Sequence, residues 1–312
     1  MNATFGGMML PLPTVFDHDG SIDEPLMRDF VDFYIDAGVD GLFVNGSYGQ
    51  GPAMDARERR RVAELVIEQN QKRLPVIVHV GTADPYSTIA LGRHALEKGA
   101  DGVGVVGPYY YADHTPEEIQ LYFQMVAGEL KAPMLLYDNA NYQGYAIGPA
   151  ALAKLAKDCP NIVAGKLAKG TINEVIRYRN VMGPDFTIFA PSECLFPGLL
   201  MGQSGTISPP LAAIPQLGVE LIAAIRRGDH DRAIELQRAS NEFNAVSFEG
   251  WKRYGRGFFI IPLRDAGFDV KMYPRWPTPP VSDEMRDRVL AVLHRARRLV
   301  EAPARPMAVA GE

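Results

Sequence analysis

The stretch DFYIDAGVDGLFVNG, residues 32–46, contains the pattern that decides the fold. An amphipathic helical segment stops at Gly38, a short connector of glycine and aspartate follows, and an apolar run from Gly41 onward predicts a buried strand. The stretch KGADGVGVVG, residues 98–107, repeats this helix-to-strand connection. The recurrence of one connector indicates a chain in which helices and strands alternate.

Eight apolar runs are candidate strands, and amphipathic helical segments lie between them. The runs are GGMMLPLPTVF, GLFVNG, LPVIVHVG, GVGVVGP, PMLLYDN, IVAGKLA, FTIFAP and SGTISP. They are continuously apolar, as is typical of strands that are buried on both faces. Eight strands, each followed by a helix, predict an α/β protein with a (β/α)8 TIM barrel. A doubly wound sheet also alternates strand and helix, but no Gly-x-Gly-x-x-Gly motif follows the first strand.

The last third of the chain lacks convincing strands and predicts helices, as in SDEMRDRVLAVLHRARRLVEA, residues 282–302. We therefore expect a barrel core over residues 1–213. A C-terminal helical region over residues 214–302 is expected to complete the barrel and extend it. Residues 303–312 are expected to form a flexible tail.

The composition excludes several classes of partner and site. The 312 residues carry a net charge of -5 without a basic block, which gives no electrostatic support for binding nucleic acid or an anionic membrane. No apolar run reaches the roughly 18 residues that a membrane span needs, and no secretory signal is recognised. Cys159 and Cys194 are too few and too isolated for a disulfide framework or a structural zinc site. We expect a cytoplasmic protein.

Lys166 lies in NIVAGKLAKG, residues 161–170, a strand-like run of small and apolar residues. A buried ammonium group costs free energy unless it is paired, loses its proton or takes part in chemistry. One interpretation is a lysine that extends to solvent or pairs with a carboxylate, as we expect for Lys169 nearby. The other is an amine that apolar surroundings keep neutral, late in the sixth strand, where barrels carry their chemistry. Such an amine attacks the carbonyl of a 2-oxo acid and forms a Schiff base.

Two further segments offer a proton shuttle and a carboxylate site. Tyr137 ends the fifth strand in PMLLYDN, although a half-buried aromatic residue with its hydroxyl at the rim explains the pattern equally well. NGSYGQG, residues 45–51, follows the second strand. Backbone N–H groups of Ser47 and Tyr48, leading into a helix N-terminus, predict an anion site there. An ordinary turn explains the same glycines.

Other chemistries have less support in the sequence. The six histidines form no H-x-H pair and no H-E-x-x-H motif, so we expect no metal site. His79 alone lies on a predicted strand and is expected to be a core or rim histidine with satisfied hydrogen bonds. Cys194, next to Glu193, has no histidine beside it and is expected to be a structural thiol.

Taken together, these segments resemble the dihydrodipicolinate synthase/N-acetylneuraminate lyase family over nearly the whole chain. The motifs that carry the resemblance are GGMMLPLPTVFDHDGSIDEPLMRDFVDFYIDAGVDGLFVNGSYGQ, GPYYY, LLYDNANYQG, AGKLAKG and GQSGTIS. Members are class I aldolases and dehydratases of the pyruvate type on a (β/α)8 barrel with a helical C-terminal extension. The resemblance implies a lyase without a cofactor that acts on a 2-oxo acid such as pyruvate. It also implies a homodimer or homotetramer.

The resemblance further implies a role for individual residues. Lys166 matches the imine-forming lysine, and Tyr137 matches the phenolic acid/base. Ser47 matches the hydroxyl residue of a proton relay. Tyr110, in GPYYY, matches an aromatic residue that a neighbouring subunit contributes to that relay.

Substrate contacts are implied in the same way. Gly46 and Tyr48, on either side of Ser47, fall in the turn where the family binds the carboxylate of the 2-oxo acid. Ile207, in GTIS, matches a residue whose backbone lies near the bound substrate. Tyr142 falls in the region that holds the variable half of the substrate.

The sequence departs from the family at two places. The usual turn, Gly-Thr-Thr-Gly-Glu or Gly-Ser-Thr-Gly-Glu, is Gly-Ser-Tyr-Gly-Gln over residues 46–50, so Tyr48 adds bulk and Gln50 removes a charge. Tyr142 stands where true dihydrodipicolinate synthases have an arginine that holds the distal carboxylate of the second substrate. A phenol cannot replace a bidentate guanidinium. These departures disfavour that activity and favour a neutral or partly apolar distal portion, in contact with Tyr48, Tyr142 and Tyr145.

We therefore predict aldol cleavage or condensation with pyruvate through Lys166. A 2-keto-3-deoxy sugar acid dehydratase stays open, because dehydration and cleavage share the same imine. A non-catalytic family member that binds a keto acid also stays open, because the turn at residues 46–50 is altered. The presence of Lys166, Tyr137 and Tyr110 together favours the enzyme.

Overall fold

The computed structural model describes residues 5–167 and 171–301. In these residues eight parallel strands close into a barrel in chain order, and the last strand pairs with the first. The strands are β1 (Gly7–Pro11), β2 (Gly41–Val44), β3 (Val76–His79), β4 (Gly102–Val106), β5 (Met134–Asp138), β6 (Ile162–Leu167), β7 (Thr187–Ala190) and β8 (Gly205–Thr206). The prediction of a (β/α)8 barrel is confirmed.

Twelve α-helices accompany the strands in the described part of the chain. They are α1 (Glu24–Asp36), α2 (Ala56–Asn70), α3 (Pro85–Lys98), α4 (Pro116–Leu130), α5 (Ala140–Gln143), α6 (Gly148–Asp158), α7 (Ile172–Met182), α8 (Leu195–Leu200), α9 (Pro215–Arg226), α10 (His230–Tyr254), α11 (Ile260–Asp265) and α12 (Asp283–Glu301). Short 3-10 turns occur at Gly51–Ala53, Ser192–Cys194, Pro210–Ala213 and Arg256–Phe259.

Helix α1 shows how the sequence sets these elements. The Asp23 side chain accepts a hydrogen bond from Leu26 N at 3.2 Å and so caps the first turn. Leu26, Phe30 and Tyr34 recur at helical spacing and are buried. Gly38 then adopts φ +78°, a left-handed conformation that glycine tolerates best, and the chain turns into β2.

The barrel separates two hydrophobic clusters, because successive side chains of a strand point to opposite faces. On β1, Met8 and Leu10 join the outer cluster beneath the helices, whereas Met9 joins the cluster that fills the barrel interior. The interior cluster consists of Phe5, Met9, Phe43, Ile77, Val106, Leu135, Tyr137, Ala164, Phe189 and Ile207. The continuous apolar runs of the sequence follow from this burial on both faces.

The C-terminal part of the chain is helical, as expected, and α10 packs against α9 and α12. The expected domain limit after residue 213 falls between the turn Pro210–Ala213 and α9, and it stays a prediction. Lys169 and the expected flexible tail over residues 303–312 lie outside the described residues. Across residues 5–167 and 171–301, no helix combines the length and the apolar character that crossing a membrane requires.

Candidate active site

Strands β5 and β6 place Tyr137 and Lys166 side by side at the mouth of the barrel. The register pairs Tyr137 with Lys166 and pairs Lys166 with Phe189 on β7. Residues paired in this way project to the same face of the sheet, here the barrel interior. Lys166 Nζ lies 3.5 Å from the ring centroid of Tyr137 and 5.9 Å from that of Phe43.

The surroundings of Lys166 differ from the expected ones. Its neighbour Leu167 belongs to the outer cluster, because strand alternation turns it away from the interior. The amine instead faces aromatic rings, which attract a cation. No carboxylate in the described part of the chain forms an ion pair with Lys166. The expected absence of a counter-charge beside Lys166 thus holds among the described residues, and a phenol lies next to the amine.

Tyr137 is that phenol, and its surroundings favour the ionised form. Burial raises the pKa of Tyr137, but the charge of Lys166 opposes this effect, together with hydrogen bonds that involve Lys166, Ser47 and Asn139. The net result is a pKa below the ordinary value of a tyrosine. Asn139 Nδ2 donates to Tyr137 Oη at 2.7 Å. A phenol of lowered pKa is suited to accept and return protons near the amine.

The loop after β2 leaves two backbone donors unused. Within the described residues, the N–H groups of Ser47 and Tyr48 donate to no protein acceptor. Both residues line the cavity that contains Lys166. Unpaired backbone N–H groups cost free energy unless water or a ligand accepts from them, so this turn suits a carboxylate.

The expected helix N-terminus does not contribute to this anion site. The loop leads first into the 3-10 turn Gly51–Ala53, and α2 begins only at Ala56. Asp55 caps α2, since its side chain accepts from Glu58 N at 2.8 Å. The prediction that the turn leads directly into the N-terminus of a helix is therefore wrong, and only the backbone donors of the turn remain for an anion.

Aromatic packing accommodates the bulk of Tyr48. The ring is buried and meets Phe259 edge to face, with centroids 5.3 Å apart. The Tyr273 hydroxyl donates to Tyr48 O at 2.9 Å and fixes the backbone of the turn. At Gly46 a Cβ atom would lie 2.5 Å from the Phe43 ring, so the close approach of the turn to β2 requires glycine there.

One cavity of about 240 Å³ joins most of the predicted site residues. Its lining includes Gly46, Ser47, Tyr48, Tyr137, Tyr142, Lys166 and Ile207. Tyr110 does not line it; its side chain is 85% exposed and its φ is +83°. A single chain thus does not bring Tyr110 to the amine, and its contribution from a neighbouring subunit stays a prediction.

Arg256 lines the same cavity and was missed by the sequence analysis. Its Nη2 donates to Tyr142 Oη at 2.7 Å, and its Nη1 donates to Ser47 O at 3.1 Å. Burial raises the pKa of the Tyr142 phenol, and the charge of Arg256 only partly offsets this rise. No local signal marks Arg256, because GRGFF lies in the helical C-terminal region, far from any strand end.

Further lining residues were also missed. Asn139 directly follows the strand that carries Tyr137, which is the signal that could have identified it. Glu193 follows β7 in the same way and reaches the rim with an exposed side chain. Trp251 and Phe259 form an aromatic wall beside Arg256, with ring centroids 6.0 Å apart.

His79 departs from its expected role. It is buried in β3, but neither ring nitrogen makes a well-formed hydrogen bond with the described residues, so the prediction of satisfied hydrogen bonds is wrong. Burial lowers the pKa of His79 well below the ordinary value, and the charges of Arg59 and Lys166 lower it further. Nowhere in the described residues do three His, Cys, Asp or Glu side chains gather as metal ligands.

Comparisons with known proteins agree with this geometry. A family model described as the dihydrodipicolinate synthetase family matches residues 4–296. The putative 2-dehydro-3-deoxy-D-gluconate aldolase YagE of Escherichia coli K12 is 35% identical over 239 residues, which cover 74% of this chain and 78% of YagE. The 4-hydroxy-tetrahydrodipicolinate synthase of Bartonella quintana is 30% identical over 298 residues, which cover 95% and 99% of the two chains.

A solved structure extends the agreement to three dimensions. The crystal structure of YagE from E. coli K12, in complex with pyruvate, superposes with a TM-score of 0.86 at 29% identity. The match covers 95% of this chain and 99% of that one. Since the family model spans almost the whole sequence and the fold agrees throughout, the chain belongs to the dihydrodipicolinate synthetase family.

Proposed function

We propose that the protein is an imine-forming lyase that cleaves, or in reverse forms, a carbon–carbon bond of a 2-oxo acid, with pyruvate as the smaller product. The contact between the Lys166 amine and the Tyr137 phenol inside the cavity carries this proposal. The name of YagE, an aldolase for a 2-dehydro-3-deoxy sugar acid, and its crystal complex with pyruvate support cleavage over dehydration.

Imine formation begins with a proton transfer between two side chains in contact. The Tyr137 phenolate takes a proton from the Lys166 ammonium, and the neutral amine attacks C2 of the 2-oxo acid. Tyr137 returns this proton to the C2 oxygen and then passes a second proton from the attacking nitrogen to the same oxygen, which leaves as water. The backbone N–H groups of Ser47 and Tyr48, next to Ile207, hold the C1 carboxylate during these steps.

Cleavage uses the positive iminium group as an electron sink. The proton of the C4 hydroxyl passes through Ser47 to Tyr137 while the C3–C4 bond breaks, and an aldehyde leaves. The electron pair of that bond forms an enamine, which takes up a proton at C3. Water then hydrolyses the imine, releasing pyruvate and regenerating Lys166. Tyr110 of the second subunit in a homodimer or homotetramer completes the relay. We propose that the protein acts in the cytoplasm.

Reductive trapping tests the proposal directly. When the protein is incubated with pyruvate and borohydride, we expect a mass increase of one reduced pyruvyl group, located on Lys166 by peptide mapping. Lys166→Arg should abolish the adduct, because it keeps a cation beside Tyr137 but offers no amine for imine formation. Lys154→Met, which removes an exposed lysine, serves as the matched control and should keep the adduct.

The outcomes separate the alternatives. No adduct, or an adduct that survives Lys166→Arg, would exclude imine chemistry at this site. Release of an aldehyde together with pyruvate from a 4-hydroxy-2-oxo acid identifies cleavage. Loss of the C4 hydroxyl as water without release of an aldehyde would instead identify a dehydratase.

A further inference from the structure

A series of contacts between polar side chains connects Lys166 with Arg256. Lys166 contacts Tyr137, Ser47 contacts both Tyr137 and Tyr142, and Tyr142 accepts a hydrogen bond from Arg256. The guanidinium is half-buried and lines the same cavity as Lys166. It lies beside Tyr142, in the region of the cavity that the resemblance assigns to the variable half of the substrate.

The guanidinium has no negative partner among the described residues. Its contacts include the Ser47 carbonyl, the hydroxyl groups of Tyr142 and Tyr273, and the Trp251 ring, whose centroid lies 5.3 Å away. Glu193 also lines the cavity, but it forms no ion pair with Arg256 within the described part of the chain. A guanidinium offers five N–H groups in a planar fork, so donors remain for a ligand. A cation withdrawn from water without a counter-ion favours binding of an anion.

A purely structural arginine in the same protein behaves differently. Arg59 is also buried without a carboxylate, yet its guanidinium donates to the carbonyl groups of His79 and Gly81. It lies away from the cavity that contains Lys166. Arg256, by contrast, makes one backbone contact and faces a space that is large enough for a ligand.

The aromatic residues next to Arg256 indicate the chemistry of the middle part of the ligand. Phe248, Trp251 and Phe259 line the cavity, with the Phe248 and Trp251 ring centroids 5.9 Å apart. Such a surface favours apolar carbon over a chain of hydroxyl groups, which would lose hydrogen bonds to water there. An anionic end beyond an apolar segment fits this arrangement.

We propose that Arg256 is a specificity-determining residue that binds the distal carboxylate of a 2-oxo dicarboxylate substrate, with the carbon chain lying against Trp251 and Phe259. The inference rests on the proposed imine at Lys166. It revises the neutral distal portion expected from the sequence, because the guanidinium that is absent at position 142 is supplied by another segment of the chain. Tyr142 orients Arg256 instead of replacing it.

The test compares ligands that differ only in the distal charge. Imine trapping with borohydride is measured at low concentrations of 2-oxoglutarate and its 5-amide, and of 2-oxoadipate and its 6-amide. In at least one pair the acid should form its adduct with an apparent affinity about 10- to 100-fold higher than that of the amide. Arg256→Met should remove this preference, and Arg256→Lys should keep part of it.

The controls distinguish a binding role from a structural one. Arg253→Met removes an exposed arginine three residues away, which lies over Tyr254, and should leave the preference intact. Pyruvate has no distal group, so its adduct should form in Arg256→Met as in the wild type. Tyr142→Phe keeps Arg256 and the ring but removes the hydroxyl that orients the guanidinium, so it should reduce the preference for the acid without abolishing it. If Arg256→Met does not fold, Arg256→Lys carries the test.

Each remaining outcome counts against a specific claim. If pyruvate forms no adduct with the wild-type protein, the proposed function fails before this inference is reached. If pyruvate is trapped but neither acid exceeds its amide, the distal carboxylate site is excluded. If Arg256→Met weakens acid, amide and pyruvate equally, Arg256 has only a structural role.

Discussion

Tyr137 is subject to two opposed effects, and their balance determines whether the residue can act as a base. Burial disfavours the phenolate, whereas the ammonium group of Lys166 and nearby donors favour it. The pKa of Tyr137 lies below the ordinary value of a tyrosine, which is about 10. In the proposed mechanism, the contact that places the amine over the ring therefore also lowers the pKa of the group that removes its proton.

We predict that a phenolate absorbance assigned to Tyr137 appears below pH 10 in a spectrophotometric titration. The difference between the wild type and Tyr137→Phe isolates this signal from the other tyrosines. Lys166→Met should move the transition above the ordinary value, because burial then acts without the opposing charge. A transition that stays in place in Lys166→Met would contradict the assigned cause.

Asn139 provides a second arm of this test. Its side chain caps α5 through Asn141 N and also donates to the Tyr137 hydroxyl. Asn139→Ser keeps a residue that caps helices well but removes the donor to Tyr137. We expect a higher pKa for Tyr137 and about a 10-fold lower kcat, with little change in thermal stability. A large loss of stability would show that the cap, and not the hydrogen bond, had been disturbed.

Individual site residues were predictable only where a strand end marked them. Lys166 and Tyr137 end adjacent strands, so the barrel rule alone brings them together. Arg256 could not be found in this way, because its position depends on how the C-terminal helices pack against the barrel. The hydrogen bond between Arg256 and Tyr142 joins residues 114 positions apart, so no pattern near Tyr142 along the chain indicates it.

At the scale of elements, the loop over residues 45–50 shows that a departure from the family's usual sequence can lie outside the active site. Gln50 is buried, and its amide donates to Thr14 O at 2.9 Å and accepts from Arg275 N at 2.8 Å. It is not among the residues that line the cavity. The neutral amide at position 50 therefore holds the loop in place and does not contact the cavity.

We predict that Gln50→Glu lowers the free energy of unfolding by about 2 kcal/mol, because a carboxylate cannot donate to Thr14 O. Urea denaturation monitored by circular dichroism measures this loss. Gln216→Glu, the same change at an exposed position, is the control and should have little effect. Equal stability of the two variants would contradict the structural role of Gln50.

The element pattern of the sequence predicts the order of the strands better than their limits. The apolar run GGMMLPLPTVF extends to Phe16, but β1 ends at Pro11. Val15 and Phe16 are still buried, because the chain stays in the core after it leaves the sheet, where Pro13 cannot donate. Burial and strand pairing produce the same apolar signal, so hydrophobicity alone cannot locate the boundary.

For the whole molecule, the prediction of the family and of its barrel is confirmed, while the assembly stays a prediction. Tyr110 and Tyr111 are exposed on one chain and pack edge to face, with ring centroids 5.0 Å apart. Exposed aromatic residues are enriched at protein interfaces. Ser47, which would receive Tyr110 in the relay, also contacts Tyr142 of the same chain.

Subunit mixing decides whether Tyr110 acts on the neighbouring chain. We expect Tyr110→Phe to lower kcat about 10- to 100-fold and Lys166→Ala to abolish activity. If the two variants are unfolded and refolded together, random pairing should raise the activity to about one quarter of the wild-type activity, because half of the dimers then contain one complete site. Light scattering of each protein measures whether it forms the expected dimer or tetramer.

Failure of the mixture to recover activity would place Tyr110 outside the shared relay. Normal activity of Tyr110→Phe alone, combined with loss of activity in Tyr142→Phe, would assign the relay to a single chain. A wild-type monomer that is fully active would exclude a shared site altogether.

The turn Arg256–Phe259 and the end of α10 lie on a different part of the chain from β5 and β6. The residues proposed to form the imine thus lie on β5 and β6, whereas the residues proposed to select the substrate lie in a later segment of the chain. After gene duplication, substitutions in that later segment would change the substrate specificity of one copy, while the imine-forming residues on β5 and β6 kept the reaction. A chimera in which residues 248–259 are exchanged between two relatives would reproduce such a change of specificity with one short segment.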